Sequence, residues 1–486
     1  MGGLFAVYSK TDCVTDLFYG TDYHSHLGTI RGGLAVKNSG GFQRFIKDIR
    51  TAQFRSKFAK DIKKLHGNKG IGVISDYDDQ PLIINSHLGV YAISTVGKIN
   101  NIEALADRFL SKGAHFSEMH GGEINPTEMA AIIINQGETF EEGIRNVQDL
   151  IDGSFTMLIL TDKGIYAARD KYGRTPLITG EKEGSYAVTM ETCAFPNLGY
   201  EISKYLGPGE VVFINEDGFQ QKIPPGDRLQ ICSFLWVYYG YPASSYEGIN
   251  VETVRNRCGA YLAKQDEEEF DLVAGIPDSG TGHGVGYANK AKIPFARPFV
   301  KYTPTWPRSF MPQDQSIRDK VARMKLIPIK DLIKDKSLLF VEDSIVRGTQ
   351  LRKTIRRLYE MGAKEVHMRP ACPPLVYGCK FLNFSRSRSV MDLAGRRAIR
   401  ELVGDQIHHP AQFTDPDSDN YQAMTDIIRK KLNLTSLKYQ KLEDLVEAIG
   451  LPKQKLCTYC WDGIGLQIEL EEISEQSQEK EITATK

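Results

Sequence analysis

The chain has 486 residues, 41% apolar and 25% charged, with 61 Lys plus Arg against 61 Asp plus Glu. That length is too great for one ordinary core and predicts two or more domains. The balanced charge leaves no case for bulk binding to a nucleic-acid polymer or a membrane surface. No apolar run approaches the roughly 20 residues that a membrane helix needs.

Met1-Gly2-Gly3-Leu4-Phe5-Ala6-Val7 reads as a strand, with no basic region or cleavage site of a signal peptide. The expectation is a cytoplasmic protein, whose eight cysteines are thiols or metal ligands rather than disulfides. Residues 70–75 and 154–160 have strand composition, and 127–136 and 140–151 have the period of amphipathic helices. Pro224-Pro225-Gly226-Asp227 is a breaker cluster and a natural boundary, placing a first domain at 1–228.

Beyond it the pattern becomes buried strand, glycine-rich turn and helix, twice over. Phe270–Ile276 runs into Pro277-Asp278-Ser279-Gly280-Thr281-Gly282, and Ser337–Val341 runs into Glu342-Asp343-Ser344-Ile345-Val346-Arg347-Gly348-Thr349. Near-continuous apolar strands followed by helices predict a parallel sheet covered on both faces, here over 229–415. Ligands of such sheets lie beyond the strands' carboxyl ends, where both acidic-serine turns fall. Residues 416–468 read as a helical segment holding Cys457-Thr458-Tyr459-Cys460, and 469–486 as a frayed polar tail.

The Glu342–Thr349 stretch has its own chemical logic. Two adjacent carboxylates at a sheet edge can hold Mg²⁺ or a ribose diol. A tight turn ending in Gly348, ahead of a helix with apolar Leu351, Ile355, Leu358 and Met361, presents backbone N–H groups to an anion. Diol ligands beside a phosphate nest describe a ribose phosphate. The alternative is an acidic turn that only caps a helix.

These eleven residues from Leu339 resemble the signature of the type I phosphoribosyltransferases, and Val341-Glu342-Asp343-Ser344-Ile345-Val346-Arg347-Gly348-Thr349 is similar to the form in the glutamine phosphoribosylpyrophosphate amidotransferases. Gly275-Ile276-Pro277-Asp278-Ser279-Gly280 resembles that family's pyrophosphate loop, and Lys301-Tyr302 with Arg308 its mobile closing loop. The resemblance runs from residue 2 to about 463. It implies that Ser279, Glu342 and Asp343 surround Mg²⁺, that Pro277–Gly280 meet the pyrophosphate, and that Ser344, Ile345, Val346, Arg347, Gly348 and Thr349 hold the 5′-phosphate. Lys301, Tyr302, Arg308 and Asp343 are the implied catalytic residues. The segment 301–308 differs from the family form in length and carries two extra prolines.

By the same resemblance the first half is an N-terminal-nucleophile glutaminase fold of four layers, αββα. Gly153-Ser154-Phe155, residues 168–177, Glu191-Thr192-Cys193-Ala194-Phe195 and residues 206–212 carry the match. Its chemistry is expected to be missing. Such a glutaminase needs an N-terminal cysteine thiolate with the α-amine as base, and Gly2 stands there. The family's His-Arg-Gly-Gln appears as His26-Leu27-Gly28-Thr29, its carboxylate-gripping arginine falls at Ser75, its oxyanion asparagine at Val96, and its amine-holding aspartate at Pro126. Cys13 is no substitute, because Val14-Thr15-Asp16 lacks the following glycine and apolar strand.

Cys457-x-x-Cys460 alone is open among zinc, redox and iron–sulfur sites. The family resemblance adds Cys232 and Cys379 as ligands and implies a structural [4Fe–4S] cluster, with tetrahedral zinc the competitor and Cys372 a rival ligand. Cys13, Cys193 and Cys258 read as core thiols, as Cys372 does if Cys379 is the ligand. The chain is therefore expected to be an α/β and α+β enzyme of purine biosynthesis. It would form 5-phosphoribosylamine from phosphoribosyl pyrophosphate with ammonia, as a homo-oligomer with purine nucleotides as feedback ligands. A phosphoribosyltransferase with another nucleophile and a non-catalytic nucleotide sensor are the rivals.

Overall fold

In a computed structural model the described residues are 2–117, 119–120, 122–302, 326–383, 389–405 and 409–464. Arg308 and the tail 469–486 lie outside them. The early strands form two antiparallel sheets. The first has seven strands, in the order Glu201–Tyr205, Ile178–Lys182, Ser185–Thr189, Gly3–Ser9, Lys69–Ser75, Arg31–Asn38 and Gly41–Asp48. The second has six, in the order Gly218–Ile223, Val211–Asn215, Ile165–Ala168, Gly153–Leu160, Gly89–Ile99 and Leu82–Ser86.

Successive side chains of a strand point to opposite faces, and here both faces are covered. Leu4, Ala6 and Val73 of the first sheet meet Ala92, Leu158 and Leu160 of the second in one shared cluster. The alternate residues Phe5, Val7, Leu34 and Val36 pack outward against the helix Val14–Asp22 and the short helix Phe54–Phe58. On the far side Tyr91, Ile93, Met157 and Ile159 pack against the helices Ile102–Leu110, Pro126–Ile134 and Phe140–Leu150. The result is the expected four layers. The last two of these helices start where the sequence places them, because Asn125 and Thr139 side chains accept from the first free backbone N–H groups.

The second architecture is a parallel sheet ordered Leu272–Gly275, Ser337–Glu342, Glu365–Pro370 and Ser436–Leu437. Leu339 and Val341 join the cluster that also fills the space between the antiparallel sheets, while Leu338 and Phe340 face a separate cluster with Ile355, Leu358 and Ile428. The first strand leads into the helix Thr281–Ala291 and the second into Thr349–Glu360, so both turns stand at one carboxyl edge. The C-terminal region differs from the helical reading. The helix Asp419–Leu432 ends at left-handed Asn433, and Ser436–Leu437 adds a strand beside His367–Met368 before the helix Leu442–Ile449. A two-residue strand is too short to leave a period in the sequence. No described helix is long and apolar enough to cross a membrane.

Candidate functional site

The strand Ser337–Glu342 delivers its acidic pair into a nearly closed position, with Glu342 9% and Asp343 6% exposed. Ser279 Oγ donates to Glu342 Oε1 at 3.4 Å, the Asp343 backbone N–H donates to the same oxygen at 3.1 Å, and Ser344 Oγ donates to Asp343 Oδ2 at 2.7 Å. Burial, reinforced by the charge of Asp343, pushes the Glu342 carboxyl well above the usual range. Buried Ile345 pins the turn to the core. Gly348 takes φ +71°, a conformation that favours glycine, immediately before the helix begins.

The turn is also held from outside. Ala394 N–H donates to the Val346 carbonyl at 2.7 Å, Arg397 donates to the Arg347 carbonyl, and Arg347 pairs with Asp392 at 3.2 Å. It faces a cavity of about 810 Å³ lined by Glu342 through Leu351 on one side, and by Phe234, Tyr238, Tyr239 and Tyr377 on the other.

The Pro277–Gly280 loop lies at the same edge. A Cβ on Gly280 would sit 2.3 Å from the Val341 carbonyl, so the two strand ends approach this closely only with glycine there. Lys301 pairs with Asp278, and Tyr302 is exposed. Ser279 thus meets Glu342 and Lys301 meets Asp278, while Pro277 and Asp278 line a neighbouring recess of about 410 Å³ with Arg255. The donor set around Glu342 is oxygen only, which suits Mg²⁺.

Cys232 and Cys457 are register partners in a two-residue parallel bridge, and Val376 and Tyr377 N–H both donate to the Cys460 carbonyl at 3.1 Å. All four predicted ligands, Cys232, Cys379, Cys457 and Cys460, line one cavity of about 10 Å³ together with Arg174. A hydrogen bond from Cys460 lowers Cys379 to about 7, while burial pushes Cys232 well up and Cys457 to about 11. Cys372 is fully buried near Asp343 and Trp461, outside that cavity. Among the described residues no group of three or more His, Cys, Asp or Glu is placed to hold a metal ion.

Gly2, Ser75, Val96, Gly97 and Pro126 line one cleft between the antiparallel sheets, of about 40 Å³. His26 and Thr29 do not join them. They border a separate groove of about 500 Å³, where His26 Nε2 meets Glu191 Oε1 at 3.2 Å. Leu382 and Asn383, from beyond the parallel sheet's third strand, also enter the cleft. Sequence reasoning missed these two, along with the aromatic wall and the Asp392–Arg397 brace, because none carries a local pattern.

The family model described as "Glutamine amidotransferase domain" matches residues 68–197. An amidophosphoribosyltransferase of Mycobacterium tuberculosis is 29% identical over 474 residues, covering 95% of this chain and 85% of the relative. One from Methanocaldococcus jannaschii is 28% identical over 491 residues, covering 95% and 97%. Among solved structures, the glutamine phosphoribosylpyrophosphate amidotransferase of B. subtilis complexed with ADP and GMP superposes with a TM-score of 0.82 at 26% identity, covering 95% of this chain and 96% of that one. These matches extend over both sheet systems, the acidic turn and the cysteine cavity alike. Over nearly its whole length the chain is similar to amidophosphoribosyltransferases in both sequence and fold.

Proposed function

We propose that this protein transfers the phosphoribosyl group of phosphoribosyl pyrophosphate to ammonia, forming 5-phosphoribosylamine in purine biosynthesis. The observation that carries the reading is the Glu342–Thr349 turn, an acidic pair followed by a turn that ends in left-handed Gly348 at a helix start, all lining a cavity of about 810 Å³. In this reading Asp343 and Glu342 hold the ribose diol or a magnesium ion with Ser279, and the N–H groups of Ser344–Thr349 hold the 5′-phosphate. Bound Mg²⁺ would supply positive charge to the leaving pyrophosphate. Lys301 and Arg308 add to it, Pro277–Gly280 orient it, and Tyr302 helps cover the site. The amine nitrogen forms its bond to the anomeric carbon as the carbon–oxygen bond to pyrophosphate breaks. Pyrophosphate departs with the electron pair, and the nitrogen loses a proton to solvent. The protein's share is positioning and charge stabilisation.

The nitrogen, in this reading, is free ammonia or comes from a partner. Gly2, Ser75, Val96 and Pro126 offer no thiolate, guanidinium, amide donor or carboxylate in the cleft they share. The cysteine cavity would hold a structural [4Fe–4S] cluster. What supports it is that Cys232, Cys379, Cys457 and Cys460 all line one small space, four thiols being the ligand set such a cluster takes. Pyrophosphate release tests the reading, with ammonium and glutamine supplied separately. Release with ammonium and none with glutamine is expected; no release with any amine would leave the nucleotide-sensor reading.

A further inference from the structure

The reading above leaves open how the nucleophile reaches the transferase site, and the N-terminal cleft bears on it. We propose that residues Lys380–Asn383 are a plug that seals this cleft, so that the nitrogen nucleophile enters through the mouth of the large cavity and not through the N-terminal half.

Four observations carry this. Leu382, 2% exposed, and Asn383 line the cleft beside Ser75, Val96 and Pro126. Asn383 Nδ2 donates to the Gly97 carbonyl at 3.2 Å, Asn100 Nδ2 to the Lys380 carbonyl at 2.9 Å, and Lys98 Nζ to the Cys379 carbonyl at 3.4 Å, so the segment is fastened along the cleft strand and its continuation. The remaining space of about 40 Å³ suits a few waters and not an amino acid. Asp76 and Asp78 border it, and none of the described residues lining it is cationic, so nothing there receives an incoming α-carboxylate. The 810 Å³ cavity, by contrast, reaches the surface at Tyr238, 42% exposed, and at the half-exposed Arg347 side chain.

The plug itself can be tested without turnover. In the full-length Ser75→Cys variant, the introduced thiol should react with iodoacetamide at least about tenfold more slowly than in urea, and addition of Leu382→Ala should restore about tenfold of that rate. Equally fast reaction in the folded single variant would overturn the plug. Should either variant fail to fold, amide exchange of the wild-type protein decides the matter: protection at 380–383 matching that at 96–100 supports the plug, and exchange at free-peptide rates at 380–383 refutes it. For the route, folded Ser75→Phe should keep ammonium-dependent pyrophosphate release within about twofold, and a loss of more than about tenfold with unchanged phosphoribosyl pyrophosphate binding would overturn it. If the wild-type protein releases no pyrophosphate with ammonium, the proposed function fails, while labelling and exchange still decide the plug.

Discussion

Asp343 is the residue on which the phosphoribosyl reading turns. Asp343→Asn keeps the side chain's shape and removes one charge. A charge-assisted hydrogen bond is worth roughly 1.5–3 kcal/mol, so phosphoribosyl pyrophosphate binding with Mg²⁺ should weaken about tenfold or more. Turnover should fall further, because positioning and leaving-group departure use the same groups. Since Asp343 is only 6% exposed and accepts from Ser344 Oγ, calorimetry must be accompanied by a melting curve. Unchanged affinity in the folded variant would reduce the turn to a helix cap. Gly2 is the second decisive residue. A Cβ there would lie 2.5 Å from the Ile74 carbonyl and 3.1 Å from a Val96 methyl carbon. Gly2→Cys should therefore lose about 1–3 kcal/mol of stability to overpacking and gain no glutaminase activity. Glutamate release from glutamine by that variant, or by the wild-type protein, would contradict this.

At the scale of elements, the parallel sheet is tied to the chain before it by a buried charge cluster. Arg369, on the third strand and 1% exposed, meets Asp266 at 2.5 Å and Glu268 at 3.0 Å, and Lys438 reaches the same two carboxylates at 3.1 and 2.8 Å. Burial alone would raise both carboxyls, but the hydrogen bonds and charges of Arg369 and Lys438 hold them below the usual range. Depressed carboxyls stabilise the fold above their unfolded pKa of about 4, and that contribution disappears as pH falls below it. Arg369→Leu leaves the buried Asp266 with only the half-exposed Lys438 as its cation, and should cost about 3 kcal/mol at pH 7. The deficit should shrink by pH 3, where protonation removes the unpaired charges. Urea midpoints of both proteins at the two pH values check this, and a deficit independent of pH would mean that packing, not charge, is what Arg369 supplies.

At the scale of the molecule, three stretches distant in sequence meet at the cysteine cavity: the segment at Cys232, the loop at Cys379 and the C-terminal Cys457–Cys460 turn. A cluster bound there would fasten the C-terminal helices to the parallel sheet, and metal binding would contribute directly to folding free energy. Anaerobically purified protein should be brown, with one iron–sulfur cluster per chain. Cys457→Ser should lose the colour and lower the melting temperature. Stoichiometric zinc with neither iron nor sulfide would rule the cluster out.

Much of this was present in local sequence. Strand Gly3–Ser9, the helix starts at Pro126, Phe140 and Thr349, and the acidic turn at 342–349 depend on residue period, caps and short-range backbone preference, all of which act between near neighbours. The donor types of the candidate sites were legible for the same reason, since a carboxylate pair or a Cys-x-x-Cys is chemistry written over a few residues. What the tertiary structure alone decided is which distant groups share a space. It keeps Cys372 out of the cavity that Cys232, Cys379, Cys457 and Cys460 line, sends Leu382 and Asn383 into the N-terminal cleft and holds His26 outside it. It also makes Ser436–Leu437 a strand, and pairs Arg369 with Asp266 across 103 positions. Such contacts are set by the packing of whole sheets and helices, whose energies are spread over many buried side chains. No short window of residues contains them.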